Sequence, residues 1–240
     1  MKLRALKVLL MLPVLFPVEV NAGGNDTAPV AKWSFENDVK DSSGNSNDGI
    51  VMGDAKYVEG VMGKAFRFDG NTCVKIPYSP SFSQTSAITV SLFVKFQKVS
   101  GRTFLVDKAH PGNAYLLRLA DSDGLPVFRF QRGLGGSAAG SKSENWAVVT
   151  SETPVQIGKW YHLAAVDDGA LLRVYIDGEL CRSAAVTNTP LKHTKTSLCI
   201  GGLSDDRAFS GDMDEIMIFN RALTKDEIRA LAGILKKPGE

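Results

Sequence analysis

Residues 209–231, FSGDMDEIMIFNRALTKDEIRAL, decide the fold. The stretch divides into a strand and a helix. From Met213 to Asn220 the residues alternate, with Asp214, Ile216 and Ile218 at one parity and Glu215, Met217 and Phe219 at the other. Side chains of a strand point alternately to its two faces, so bulk at both parities places this strand between two layers. Thr224-Lys225-Asp226-Glu227 then reads as a capping box, the Thr224 hydroxyl accepting from the Glu227 amide, and Ile228 and Leu231 give the helix an apolar stripe. Asp214 is the anomaly. A carboxylate at the parity of two isoleucines must find a cation or several donors, because an unpaired buried charge is strongly destabilising.

Upstream of this stretch the chain reads as short strands separated by turn signals. Strands are expected over 30–35, 63–69, 72–77, 87–96, 104–108, 114–120, 127–131, 146–151, 159–167, 171–176, 179–185 and 197–201. The strongest alternator is 87–96 (AITVSLFVKF), with Ile88, Val90, Leu92 and Val94 on one face. Asp69-Gly70-Asn71 and Asp177-Gly178 mark tight connections, the latter a type I′ hairpin signal. About a dozen strands, one terminal helix and no long helical period predict an all-β, two-sheet antiparallel jelly-roll sandwich. No internal repeat and no linker divides 30–233, which is taken as one domain.

The ends read differently. Residues 1–22 have the plan of a signal peptide: Lys2, Arg4 and Lys7, an apolar run over 8–16, and a small-residue site at Val20-Asn21-Ala22. The run is too short to favour a membrane anchor, and no Cys follows it as a lipoprotein would require. Residues 23–29 are expected to be a mobile leader and 234–240 a tail. The chain is therefore expected to be secreted, periplasmic or extracellular, with no stable membrane insertion after cleavage. The leader holds three of the 28 basic and one of the 26 acidic residues, so the remainder balances at 25 of each. No basic run interleaves with aromatics, which argues against a nucleic-acid partner.

Three cysteines allow one intrachain disulfide at most. Cys181 and Cys199, on consecutive expected strands, are the pair to test; the alternative is three thiols acting as small hydrophobes. A glycosidase needs two carboxylates across a groove, and the nearest grouping, Asp212-x-Asp214-Glu215, sends neighbours to opposite faces. His162 shares a face with Trp160 and Ala164 and reads as a core histidine, while His110 and His193 have no paired nucleophile. The small-residue loop over 133–141 lacks the ending of a phosphate loop, and Trp146 beside it is a candidate ligand contact.

Four blocks in order, WSFENDVKDSSGNSNDG (33–49), GKAFRFDGNTCVKIP (63–77), GKWYHLAAVDDGALLRVYIDGE (158–179) and GDMDEIMIFNRALTKDEIRAL (211–231), carry a resemblance. The chain resembles the laminin-G-like jelly roll of the concanavalin A-like lectin/glucanase superfamily. The resemblance implies two curved antiparallel sheets packed face to face, with the first and last strands as neighbours. It does not imply one function, because lectins, adhesion modules and enzymes share this fold. The Glu-x-Asp-x-Glu type of pattern shown by laminarinase-like relatives is missing.

Many relatives bind a structural calcium in turn-rich loops, and the loop over 36–49 suits one. Asp38, Asp41, Asn45, Asn47 and Asp48 supply hard oxygens, and Asp214 could add a carboxylate from the last strand. The competing reading is that these side chains cap their own turns while Asp214 accepts from backbone amides. The expected function is a non-catalytic, lectin-like carbohydrate-binding module. Its alternatives are a module that binds cell-surface or extracellular protein, and a carbohydrate-active hydrolase.

Overall fold

The computed structural model describes residues 28–82, 86–99, 102–109, 114–134, 146–186, 191, 193–202 and 207–233. The expected signal peptide, most of the expected leader, the tail and most of the small-residue loop lie outside them. Among the described residues fifteen strands, one 3-10 turn and one helix form a two-sheet sandwich. In chain order the strands are β1 (Ala31–Trp33), β2 (Ile50–Met52), β3 (Tyr57–Glu59), β4 (Lys64–Asp69), β5 (Cys73–Ile76), β6 (Ile88–Lys98), β7 (Phe104–Asp107) and β8 (Tyr115–Ser122). They continue as β9 (Leu125–Gly133), β10 (Trp146–Pro154), β11 (Trp160–Asp167), β12 (Leu171–Ile176), β13 (Glu179–Ala185), β14 (Leu198–Ile200) and β15 (Ser210–Phe219), followed by helix α1 (Lys225–Ala232).

One sheet runs β13-β12-β11-β6-β15-β4-β3, with β1 added beside β15. The other runs β10-β9-β8-β7-β14-β5-β2, and every pairing is antiparallel. The core lies between the sheets. Trp33, Val90, Leu92, Leu163, Val174, Ile216 and Ile218 are buried in it, as alternation on their strands requires, and Phe35, beyond the end of β1, is buried there too.

The deciding strand β15 is central, and its partners explain its two bulky faces. β6 runs along one side throughout, while β4 occupies the first half of the other side and β1 the second. Between those halves the register with β6 slips: Asp214 faces Phe93, and Met217 faces Ser91. The extra residue is a β-bulge with Glu215 in left-handed backbone at φ 47°. The bulge corrects the expected phase. Met213, Ile216 and Ile218 face the core, whereas Asp212 and Asp214, paired with Lys95 and Phe93, lie on the outer face. Asp214 does not share a face with Ile216 and Ile218.

Met217 and Phe219, also outside, pack with Ile228 of α1 and Leu223 just before it, together with Ala164, Val166 and Tyr175. The capping box of α1 is complete: Thr224 Oγ1 accepts from the Glu227 amide, and the Glu227 carboxylate accepts from the Thr224 amide. Strands β2 and β3, three residues each, were not expected from the sequence; both are edge strands with no buried residue to mark a period.

Candidate functional site

The turn-rich loop after β1 folds back onto its own strand. Val30 C=O accepts from Asn45 Nδ2 (3.1 Å), Asn47 Nδ2 (2.9 Å) and Ser43 Oγ (3.2 Å). The Asp41 carboxylate accepts from the amides of Lys32 (2.9 Å), Ser43 (2.8 Å) and Asn47 (2.9 Å). Burial opposes its charge, yet these amides hold its carboxyl below the usual aspartate range. The Trp33 indole N–H donates to Asn47 C=O at 3.0 Å, which fixes the loop to the core. Asp48 Oδ1 accepts from the Asp41 amide, and Asp38 Oδ1 from the Lys40 amide. Gly49 lets the chain approach β5 closely, since a Cβ there would stand 2.5 Å from Val74 Cγ1.

Asp214 goes elsewhere. Its Oδ2 accepts from the amides of Val61 (2.8 Å) and Met62 (3.0 Å), and its Oδ1 from the Glu215 amide (2.8 Å). Gly60 makes room for it, as a Cβ there would lie 2.5 Å from Oδ2. Of Asp38, Asp41, Asn45, Asn47, Asp48 and Asp214, the donor set expected for calcium, Asp41 and Asp214 direct both carboxylate oxygens to backbone amides, Asp38 and Asp48 one each, and Asn47 Oδ1 accepts from Ser81 Oγ. Among the described residues no group of three or more His, Cys, Asp or Glu is arranged to hold a metal ion. The Asp41–Lys32 bond ties the loop to β1, and β1 is tied to the last strand by pairing with β15.

The loop does form one wall of a cleft of about 440 Å³. The other wall is 77–80, where β5 leaves the sheet through Pro77-Tyr78-Ser79-Pro80. Two prolines restrict this segment, and Phe82, fully buried at the end of the 3-10 turn, anchors it. Ser81 Oγ donates to Asn47 Oδ1 (3.1 Å), joining the walls. Tyr78 is 41% exposed and Ile50, opposite, 54%. Asn45 and Asp48 are exposed on the loop side. Below Tyr78, Lys108 Nζ lies 5.6 Å from its ring centroid and 5.1 Å from that of Phe82, and donates to Thr196 C=O at 2.9 Å. Burial pushes this ammonium down to about 8. Sequence reasoning missed Tyr78; its signal was an aromatic between two prolines immediately after a strand.

The acids near the end of the chain are individually neutralised. Asp212 accepts from Arg67 Nε (2.7 Å) and Nη2 (3.0 Å) and pairs with Lys95 Nζ (2.8 Å), whose charge lies 4.7 Å from the Trp160 ring centroid. Burial raises its carboxyl, but Arg67 and Lys95 outweigh that and hold it low. Glu215 pairs with Lys32 at 2.8 Å. His162 is buried, with Nε2 2.9 Å from Ser91 Oγ, and burial pushes it down to about 4. No two of these carboxylates face each other across an open groove, the arrangement a glycosidase requires.

Trp146 is half-buried against Phe104, Ala109 and Leu116 on the outer face of the seven-stranded sheet, away from the cleft wall. The expected Cys181–Cys199 pairing is not formed. All three cysteines are free, and Cys181 lies in β13 of one sheet while Cys199 lies in β14 of the other. The Cys199 thiol instead donates to Ile200 C=O at 3.9 Å, and its strand pairs with β5, which begins at Cys73, a strand pairing that sequence order hides.

A laminin G family model of the concanavalin A-like lectin/glucanases superfamily matches residues 68–229. No curated protein matches the chain. Among solved structures the chain is similar to domain 4 of AbnA, an extracellular GH43 arabinanase from Geobacillus stearothermophilus, in complex with arabinotriose. That likeness has 25% identity and a TM-score of 0.70, over 85% of this chain and 98% of that one. The binding domain of Paraclostridial Mosquitocidal Protein 1 matches at 17% identity and a TM-score of 0.68, over 86% of this chain and 52% of that one. The binding domain of Botulinum Neurotoxin DC in complex with SialylT matches at 12% identity and a TM-score of 0.67, over 87% of this chain and 52% of that one. The chain thus spans about half of each toxin binding domain, and at these identities the likeness is one of fold.

Proposed function

The chain belongs to the laminin G family of the concanavalin A-like lectin/glucanases superfamily, and from that premise we propose that it is an exported, non-catalytic module that binds glycan. The observation that carries the reading is the cleft between 45–50 and 77–80, where the exposed Tyr78 ring stands beside Asn45 and Asp48. A sugar offers an apolar ring face and a rim of hydroxyls. An aromatic plane with amide and carboxylate groups next to it complements both, and the volume falls within the range of small-ligand sites. The likeness to an arabinanase domain solved with arabinotriose supports the same class of ligand. The signal-peptide-like plan of residues 1–22, a basic start, an apolar run and small residues, supports export.

Binding to a glycan array, with and without calcium, identifies the ligand. Tyr78→Ala should then weaken binding by roughly 10–100-fold, the loss of about 1.5–3 kcal/mol for a stacked aromatic, with an unchanged unfolding midpoint. Binding indifferent to Tyr78→Ala would place the ligand elsewhere. A second reading has one observation in its favour: Ile50 and Met52 are both exposed on β2, an edge strand of the seven-stranded sheet. An open edge with apolar side chains suits a protein partner that adds a strand. Met52→Lys would impair that mode and leave the glycan cleft working.

A further inference from the structure

The outer face of the seven-stranded sheet carries two neighbouring arginines that no carboxylate among the described residues pairs. Cross-strand pairing sets Thr150, Arg129, Arg118 and Phe104 in one row across β10, β9, β8 and β7, with Gln131, Leu116 and the buried Asp107, whose Oδ1 accepts from the Ala109 amide, in the row beside it. Arg118 and Arg129 are therefore direct cross-strand partners, and like charges so placed oppose the pairing of their strands. Their hydrogen bonds among the described residues are all to neutral acceptors. Arg118 donates from Nε to Gln131 Oε1 (2.6 Å) and from Nη1 to Leu119 C=O (2.9 Å), and Arg129 donates from Nε to Thr150 Oγ1 (2.9 Å).

Among the described residues neither guanidinium has a carboxylate partner, although most other arginines of the fold do. Burial, then the charges of Arg129 and Arg102, push Arg118 down to about 10, and burial lowers Arg129 as well. Both are half-buried and held by neutral acceptors, and among the described residues each keeps terminal N–H groups without an acceptor. Phe104 and Leu116 on the same face are themselves buried, and the half-buried Trp146 packed on them is the apolar flank.

We propose that Arg118 and Arg129 form an anion subsite that takes the carboxylate or sulfate group of an acidic glycan. The subsite rests on the glycan-binding reading and names the class of sugar. A planar guanidinium presents paired N–H donors that match two oxygens of an oxyanion. An anion between the two arginines turns their repulsion into two attractions, and the apolar flank receives the ring that carries it. A sheet surface holds both forks at fixed spacing, which favours a repeating polymer of acidic sugars over a disordered acidic peptide.

The test is affinity electrophoresis and titration of the purified chain with polygalacturonate, dextran sulfate, neutral dextran and arabinan, and polyglutamate, in salt of about 0.15 M. At least one acidic polysaccharide should bind about tenfold or more tightly than the neutral ones, and weaken as salt rises. Arg129→Gln should remove that preference while keeping whatever neutral-glycan binding exists; Arg129→Lys should retain part of it, having charge without the fork. The Arg129→Gln midpoint should not fall in low salt, because the substitution relieves repulsion. Equal binding of acidic and neutral polysaccharides, an unaffected Arg129→Gln variant, or polyglutamate bound as tightly as polygalacturonate would each overturn the subsite and leave glycan binding standing. Binding to no polysaccharide of either charge would sink the glycan-binding reading itself.

Discussion

Asp214 has no exposed surface, yet three amides point at its carboxylate, and the balance between those facts has a measurable sign. Burial is the larger influence and, with the neighbouring Glu215 charge, pushes the carboxyl up to about 7 against the pull of Met62, Val61 and Glu215 N–H. An unfolded aspartate titrates near ~3.9. Between these values the folded chain holds a proton that the unfolded chain has released, so stability falls as pH rises from about 4 towards 7 and is level above. Urea midpoints across that interval should show the decline in the wild type and a flatter profile in Asp214→Asn. The variant should also be less stable at low pH, because an amide nitrogen now meets a backbone donor. Calcium and a chelator should leave the difference between the two proteins unchanged, since the partners are amides; a calcium-dependent gain confined to the wild type would return Asp214 to a metal site.

At the scale of the element, β15 and α1 show what a sequence carries and what it hides. Ile216 to Phe219 reads correctly as bulky on both faces, because a core lies on one side and α1 on the other. The phase before Ile216 reads wrongly, because a bulge adds a residue without a glycine to mark it: Glu215 takes left-handed backbone where β15 exchanges β4 for β1. That exchange is a property of the sheet, invisible to local alternation. The α1 cap, by contrast, is wholly local. Thr224, Glu227 and Arg221 interlock within seven residues, and the hydrogen bonds from Arg221 hold the Glu227 carboxyl down to about 2. Thr224→Ala removes the acceptor for the Glu227 amide and should lower stability by roughly 0.5–2 kcal/mol in urea unfolding. A larger loss would mean that the covering of Met217 and Phe219 fails along with the first turn.

Across the whole molecule the two sheets meet over an apolar core that, among the described residues, is crossed by an ion pair that no local pattern announces. Arg132, in β9 of the seven-stranded sheet, reaches Asp167, in β11 of the eight-stranded sheet: Nη1 lies 3.0 Å from Oδ1 and 2.9 Å from Oδ2, with both residues about 1% exposed or less. The alternation of β9 assigns Phe128, Phe130 and Arg132 to one face, so the arginine was placed inside by register against its own hydration. Its partner lies 35 positions away, which is why neither could be read as a pair from the sequence. Asp167 also accepts from the Gly169 amide at 2.8 Å, and burial is the leading influence on its carboxyl, which stands above the usual range. A buried pair of this kind contributes little net stability when intact, but removing one member leaves the other charged in the core. Arg132→Met should therefore destabilise by about 3–5 kcal/mol at neutral pH. The deficit should shrink in acid, where the orphaned Asp167 takes up a proton: its folded pKa lies above its unfolded one, so stability is greatest at low pH and falls as pH rises. Adding Asp167→Asn, which preserves the Gly169 bond, should restore much of the loss at neutral pH. A double variant as unstable as Arg132→Met alone would show that packing of the arginine stem, not the stranded charge, sets the cost.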